Sequence, residues 1–347
     1  MSAAGMMIVE NCCTILQVRE TGVTSTSEEA AMDLISRPPS EREARRARAD
    51  RDELVERVAR AVGEDGTVEA PGGLRLLRRS SPTPKDHGVS SPAFCVIAQG
   101  SKEVWLGDDR YRYDADHYLI TAAALPTATR VTEASEERPY LGLVLGLDPA
   151  LVGSVTVEAS HPAPREQAAV RAFDVSPLEA GLLDAVVRLV GLLDAPADEA
   201  RFLRPLITRE IVFRLLMGEQ GARLRQIAVL GGRSHRIAKA LERLRKDFDR
   251  PLRIEDIARE LGMSVSGFHH HFREVTAMSP LQFQKRMRLQ EARRLMLAED
   301  LDAAGAGYRV GYSDTSHFTR EYKRLFGEPP MRDVERLREA ATVSADL

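Results

Sequence analysis

A chain of 347 residues, 43% hydrophobic and 29% charged, is long enough for two domains with cores of their own and contains no run of about 18 apolar residues. Its net charge of −3 conceals an asymmetry: residues 233 to 340 carry 22 Lys plus Arg against 17 Asp plus Glu, net +5, leaving 27 against 35, net −8, elsewhere. Three cysteines, Cys12, Cys13 and Cys95, make no disulfide framework, and with no secretory apolar core the expectation is a soluble cytoplasmic protein with no membrane partner.

Residues 1 to 50 are poorly patterned. Ile8-Val9 and Ile15-Leu16 give way to a Ser/Thr/Glu stretch, to Pro38-Pro39 and to a charge run from Glu41 to Glu53, the composition of a disordered extension. A basic arm on DNA is the alternative, but Glu41, Glu43, Asp50 and Asp52 offset most of Arg42, Arg45, Arg46, Arg48 and Arg51. Residues 52 to 63 then place Leu54, Val55, Val58 and Val62 on one side of a helix.

From there to about residue 160 the period shortens. β-rich runs at 74–77, 94–98, 104–106, 111–113, 118–121 and 140–145 are separated by turn signals at Gly100, Gly107-Asp108-Asp109 and Pro126, as in a sandwich or small barrel. His87, His117 and His161 are isolated in sequence, with no His-x-His pair in the β-rich stretch, so no metal site is expected. The chain also lacks a Gly-x-Ser-x-Gly elbow or a Gly-rich phosphate loop; no cofactor and no enzymatic activity are expected.

The helical period returns from about Pro177 to Glu219, within a helical dimerisation segment and linker expected over residues 161 to 230. Leu178, Leu182, Leu183, Val186, Leu189, Val190 and Leu193 form one apolar face; Phe202, Leu206, Ile207, Ile211, Leu215 and Leu216 form a second. Both could pack on the β domain, but they exceed what one side of a small barrel needs, so a homodimer surface is expected here. Gly218, Gly221 and Gly231-Gly232 mark a hinge over residues 219 to 233, before a helix capped by Ser234 that carries Ile237, Leu241, Leu244 and Phe248.

The last hundred residues contain one pattern twice. At an offset of 50, Ser264, Phe268, Phe272, Arg273, Val275 and Pro280 fall on Asp314, Phe318, Tyr322, Lys323, Leu325 and Pro330. Each copy has a glycine turn, a capping side chain, aromatics at i and i+4, and a closing proline. Ile254, Ile257, Ala258 and Leu261 ahead of the first copy supply the stripe of a supporting helix, which makes the unit a helix-turn-helix. The outward faces carry Ser266, His269, His270 and Arg273 in the first copy, and Thr315, Ser316, Thr319, Arg320 and Lys323 in the second. These positions hold donors and cations but no carboxylate, as a helix in a DNA major groove requires; a helical bundle with polar surfaces is the plainer alternative. His269, His270 and His271 point about 100° apart in succession, so the three are not expected to converge on one metal.

Between the copies Ser279-Pro280 opens a helix of about 27 Å, at ~1.5 Å per residue, whose outer face carries Lys285, Arg286, Arg288, Arg293 and Arg294. Gly305 and Gly307 fall inside the supporting helix of the second unit at ~1 kcal/mol each relative to alanine. The expectation is a frayed helix that alanines would strengthen, with the first unit supplying most base discrimination.

The runs Gly262-Met263-Ser264 to Phe272-Arg273, Ser279-Pro280-Leu281, Glu291 to Leu295, Val310-Gly311-Tyr312-Ser313-Asp314, Ser316-His317-Phe318 and Phe326-Gly327-Glu328-Pro329-Pro330 resemble the AraC/XylS family of bacterial transcription regulators over residues 234 to 338. Residues 73 to 149, most specifically Phe94 to Gly100 and Arg138 to Leu143, are similar to the cupin-like N-terminal domain of one branch of that family. The resemblance implies an α+β chain: a cupin-like β-barrel with flanking helices, then an all-α domain with two helix-turn-helix units between residues 234 and 340. Its implied partners are promoter double-stranded DNA, a second copy of the chain, a small-molecule effector in the barrel, and RNA polymerase. A ligand-independent regulator with a purely structural barrel is the runner-up, and a cupin enzyme fused to a DNA-binding domain comes third. The residues do not separate activation from repression.

Overall fold

The computed structural model describes residues 41–159, 171–228 and 232–343. Helix α1 (Glu41–Ala61) leads into nine strands: β1 (Gly66–Ala70), β2 (Leu74–Arg79), β3 (Asp86–Val89), β4 (Ala93–Gln99), β5 (Ser101–Leu106), β6 (Asp109–Asp114), β7 (His117–Thr121), β8 (Pro126–Glu133) and β9 (Tyr140–Gly146). Helix α2 (Pro149–Glu158) and strand β10 (Phe173–Pro177) precede α3 (Ala180–Gly191), α4 (Ala197–Met217) and α5 (Gly221–Ala228). An all-helical region follows: α6 (Gly232–Lys246), α7 (Ile254–Glu260), α8 (Val265–Thr276), α9 (Pro280–Ala298), α10 (Ala303–Arg309), α11 (Thr315–Phe326) and α12 (Pro330–Val343). The α+β class expected from the sequence is the one observed.

Two antiparallel sheets make the β domain, one of six strands in the order β1-β2-β9-β4-β7-β10 and one of four in the order β3-β8-β5-β6. Strand β4, in the middle of the large sheet, reads as nearly continuous apolar sequence for a physical reason. Phe94 and Val96 pack with Leu54, Val58, Val186 and Ile211 of the helices, while Cys95 and Ile97 turn to the other face, with Val104, Leu106 and Phe173. Both faces are covered, so neither alternate position is polar. The core between the sheets continues into the first helical unit through Ile237, Leu241, Phe268 and Phe272; a separate cluster around Phe318 and Tyr322 closes the second.

Several expectations change. Helix α1 begins at Glu41, not Asp52, so part of the supposed disordered stretch is helical. In that charge run, which has no apolar period to announce a helix, Arg46 pairs with Asp50 one turn on at 4.0 Å and with Asp184 of α3 at 2.5 Å, and Arg51 reaches Asp116 at 2.5 Å. The expected hinge contains α5, pinned by buried Arg223, which pairs with Asp174 at 2.7 Å and donates to the Arg171 carbonyl at 2.6 Å. Strand β8 starts on Pro126, read from sequence as a turn; proline is tolerated there because a first strand residue needs no ladder N–H. The second apolar face divides: Ile207, Ile211, Leu215 and Leu216 are buried, whereas Phe202 and Leu206 are 72% and 53% exposed. Cys12, Cys13, His161 and most of the N-terminal extension lie outside the described residues.

Candidate nucleic-acid interface

In the first unit α7 leads through Gly262, at φ 63°, to the cap residue Ser264, whose hydroxyl accepts from the Gly267 N–H at 3.1 Å. Phe268 and Phe272 are fully buried, with Ile257 and Ala258 beneath them. That packing fixes the rotation of α8 and leaves Ser266, His269, His270 and Arg273 exposed, as the sequence pattern requires. Ala277 ends α8 in the left-handed region at φ 56°, and Ser279 and Gln282 then form a reciprocal capping box at the start of α9.

The second unit repeats the construction. Gly311 turns at φ 90°, the Asp314 carboxylate accepts from the Ser316 and His317 N–H groups, Phe318 and Tyr322 are fully buried, and Gly327 terminates α11 at φ 89°. Ser316, Arg320 and Lys323 are exposed, and Thr315 and Thr319 half-buried. Among the described residues, Arg273, Arg320 and Lys323 form no ion pair, so their charges face solvent uncompensated.

The frayed supporting helix does not appear. The Asp302 side chain caps α10 by accepting from the Gly305 N–H at 2.7 Å, and Ala306 and Val310 are fully buried. A Cβ on Gly307 would lie 3.1 Å from Cγ of Phe318, and one on Gly305 would lie 3.0 Å from the capping Asp302 oxygen. Gly307 is there for close helix packing, which a propensity argument does not see.

The basic outer face read into α9 is also largely engaged. Arg288 donates to the carbonyls of Phe248, Gly311 and Arg250; Lys285 pairs with buried Glu321 at 2.5 Å; Arg294 pairs with Glu291 at 2.8 Å. Arg293 is buried on Asp333. Periodicity places cations on a helix face but cannot say that carbonyls and carboxylates from other elements come to meet them. The same helix carries the β domain: Gln290 donates to the Gly88 carbonyl at 2.7 Å, Arg286 to the Gly107 carbonyl at 3.3 Å, and Arg293 reaches Asp86 at 3.3 Å. A backbone bond from the Ala172 N–H to the Val275 carbonyl, 3.1 Å, joins the β domain to α8 as well.

The histidine triplet divides. His269 stays apart against Phe268, whereas His270 and His271 both turn to Glu274, with Nε2 to Oε1 at 3.2 Å and Nδ1 to Oε2 at 2.8 Å. Successive histidines do diverge along the helix, but a carboxylate at i+4 from one and i+3 from the other gathers two of them. Glu274 was absent from the sequence-based set; its helical spacing from the histidines was the available signal.

Two family models match the chain, the AraC-type transcriptional regulator N-terminus over residues 71–223 and a helix-turn-helix domain over residues 257–336. The chain belongs to the AraC family of transcriptional regulators. The chain is similar to the HTH-type transcriptional activator RhaS of Salmonella schwarzengrund, 28% identical over 162 residues, 46% of this chain and 56% of that protein. The match thus spans little more than half of the curated relative. Among solved structures, a probable AraC family transcriptional regulator from Rhodopseudomonas palustris is 31% identical, covering 29% of this chain and 96% of its own, with TM-score 0.28. ToxT from Vibrio cholerae is 11% identical, covering 75% of this chain and 97% of its own, with TM-score 0.49. No described helix is long and apolar enough to cross a membrane.

Proposed function

We propose that the protein is a sequence-specific transcription regulator that places α8 and α11 in the major groove of promoter DNA. The carrying observation is the duplicated unit: two capped helices, each rotated by two buried aromatics so that donors and unpaired cations face outward. Ser266, His269 and His270 are the base-reading candidates of the first unit and Thr315, Ser316 and Thr319 those of the second, with Arg273, Arg320 and Lys323 on phosphates. Replacing the three cations by alanine, singly, should weaken binding to every DNA sequence alike and lower the salt slope by ~0.9 per phosphate contact. If the triple variant binds DNA selected from a randomised pool with unchanged affinity and salt dependence, the helices do not lie on DNA in this way.

The finer reading adds a small-molecule effector and a homodimer. A cleft of about 790 Å³ at the β domain, lined by Arg51, Asp52, Gln99, Asp114, Glu133 and Arg138, offers space and polar groups for an effector. The docking of the β domain on α9 supplies a route by which occupancy would bias the DNA-binding units, a shift of population. A metabolite panel followed by thermal shift of the full chain tests it: stabilisation by one ligand supports an effector, and none across the panel favours the purely structural β domain. For the dimer, Phe202, Leu206, Phe213 and Met217 of α4 are all exposed and, at 100° per residue, fall within an arc of about 60°. A sedimentation measurement showing a monomer at all concentrations would remove it. RNA polymerase is a further partner only if the regulator activates, as the relative named an activator does.

A further inference from the structure

We infer that His270, His271 and Glu274 form a binding site for a divalent transition metal ion, zinc in the first place, on the flank of α8. One donor atom from each residue lies within 4.8 Å of the other two. Zinc bonds of ~2.0–2.2 Å place tetrahedral ligands roughly 3.3 Å apart. The two imidazoles already meet the same carboxylate, one on each oxygen, His270 Nε2 to Glu274 Oε1 at 3.2 Å and His271 Nδ1 to Glu274 Oε2 at 2.8 Å. The two rings meet edge to face, 5.2 Å between centroids, so neither blocks the other from the shared carboxylate.

The chemistry of the set selects among ions. Two imidazoles and one carboxylate suit zinc, cobalt(II) or nickel(II), and offer too few oxygens for calcium or magnesium. Access is graded: the His270 side chain is 68% exposed, Glu274 35% and His271 20%. The ion would therefore keep a fourth position open to solvent. At 100° per residue, His270 lies about 40° from Ser266 on the outward face and Glu274 and His271 lie beyond it at about 80° and 140°, so with the ion bound His270 is its ligand rather than a base reader and the charge sits on the flank, towards backbone phosphate. Occupancy by a divalent ion brings two positive charges to this flank of the helix. That second consequence rests on the DNA reading proposed above, and the first does not.

The test uses the full chain and zinc chloride after chelator treatment. Titration calorimetry should show one zinc equivalent in the wild type that is absent, or weakened by at least about tenfold, in both H270A and E274Q; cobalt(II) should give an absorption band in the visible that both variants lose. The substitutions fall on a helix surface, and unchanged far-ultraviolet circular dichroism identifies folded variants. Equal zinc stoichiometry and affinity in wild type and both variants would overturn the site. In a second arm, zinc should tighten DNA binding and steepen its salt dependence in the wild type alone. Zinc held by these residues without any change in DNA binding would support the metal site and overturn its placement beside DNA.

Discussion

Arg293, in the middle of α9, makes a two-point ion pair with Asp333 of α12: Nε to Oδ2 at 2.8 Å and Nη2 to Oδ1 at 3.0 Å, with Asp333 wholly buried. The Tyr322 hydroxyl donates to the same carboxylate at 2.8 Å, Arg336 adds a contact at 2.5 Å, and the Arg293 guanidinium lies 4.6 Å from the Phe326 ring centre. Burial raises the Asp333 pKa, but the hydrogen bonds from Arg293 and Tyr322 outweigh it and hold the carboxyl below its ordinary value. The linker helix, the recognition helix and the last helix of the second unit thus share one charge network.

Removing one partner of that pair leaves a buried charge without its two-point counter-ion. R293M and D333N should each destabilise the protein by about 3–5 kcal/mol, the usual cost of breaking a buried pair, and the double variant R293M/D333N should cost clearly less than the sum. Denaturant unfolding of the four proteins in the cycle measures the coupling. Additive losses would mean that Arg293 and Asp333 do not act together.

Gly307 gives a prediction opposite to the one propensity suggests. G307A should destabilise by roughly 1–3 kcal/mol, because the new Cβ would press on the buried Phe318 ring at 3.1 Å and push the supporting helix off α11. Hydrogen exchange of α11 would accelerate and binding at the second half of the DNA site would weaken. A variant as stable as wild type would show that the ring moves aside at no cost.

How much of this was legible depends on the range of the interaction. The capping side chains Ser264 and Asp314, the aromatic stripes and the strands β4, β5, β7 and β9 are local signals, written in residues a few positions apart, and the structure has them where the sequence places them. Strand β3, Asp86–Val89, has no such signal and exists because β8 pairs with it. The fate of Arg288 and Arg293 was equally invisible, since their partners Gly311, Asp333 and Asp86 lie far away in sequence. The outward positions of the two units needed only the period of one helix. The carboxylate that gathers His270 and His271 needed the same arithmetic applied to Glu274.

Gly107 is a contact point between the β domain and the first unit. It sits at φ 63°, and a Cβ there would come within 2.5 Å of the Ala277 carbonyl oxygen. G107A should combine a left-handed backbone penalty of about 1 kcal/mol with a backbone clash that no side-chain rotation relieves. The β5–β6 turn should then lift from the end of α8, and amide exchange should quicken at Ala172, whose N–H bonds the Val275 carbonyl. Faster exchange confined to residues next to Gly107 would mean that the strain is absorbed locally and the junction holds.

The last prediction concerns acidity at the junction of β3 with α11. The His87 ring packs edge to face on Phe326, 5.3 Å between centroids, and burial pulls its pKa down to about 4, with Lys85, Arg293 and Arg286 pushing the same way and Asp333 opposing. In the unfolded chain the imidazole titrates near ~6.5, so between that value and about 4 the unfolded state binds the proton that the folded state refuses. The stability held by neutral His87 is fully present above pH ~6.5 and is lost progressively as pH falls toward about 4. Discounted for partial solvent access, the loss amounts to roughly 1–3 kcal/mol. H87Q cannot take up a proton, and the other titrating groups are common to both proteins, so the difference between their unfolding free energies isolates this residue. Wild type should lose stability faster than H87Q from pH 6.5 to 4.5, and its β3 amides should exchange faster over the same range. Parallel curves for the two proteins would show that His87 is free to protonate where it stands, and that the contact with Phe326 does not bury it.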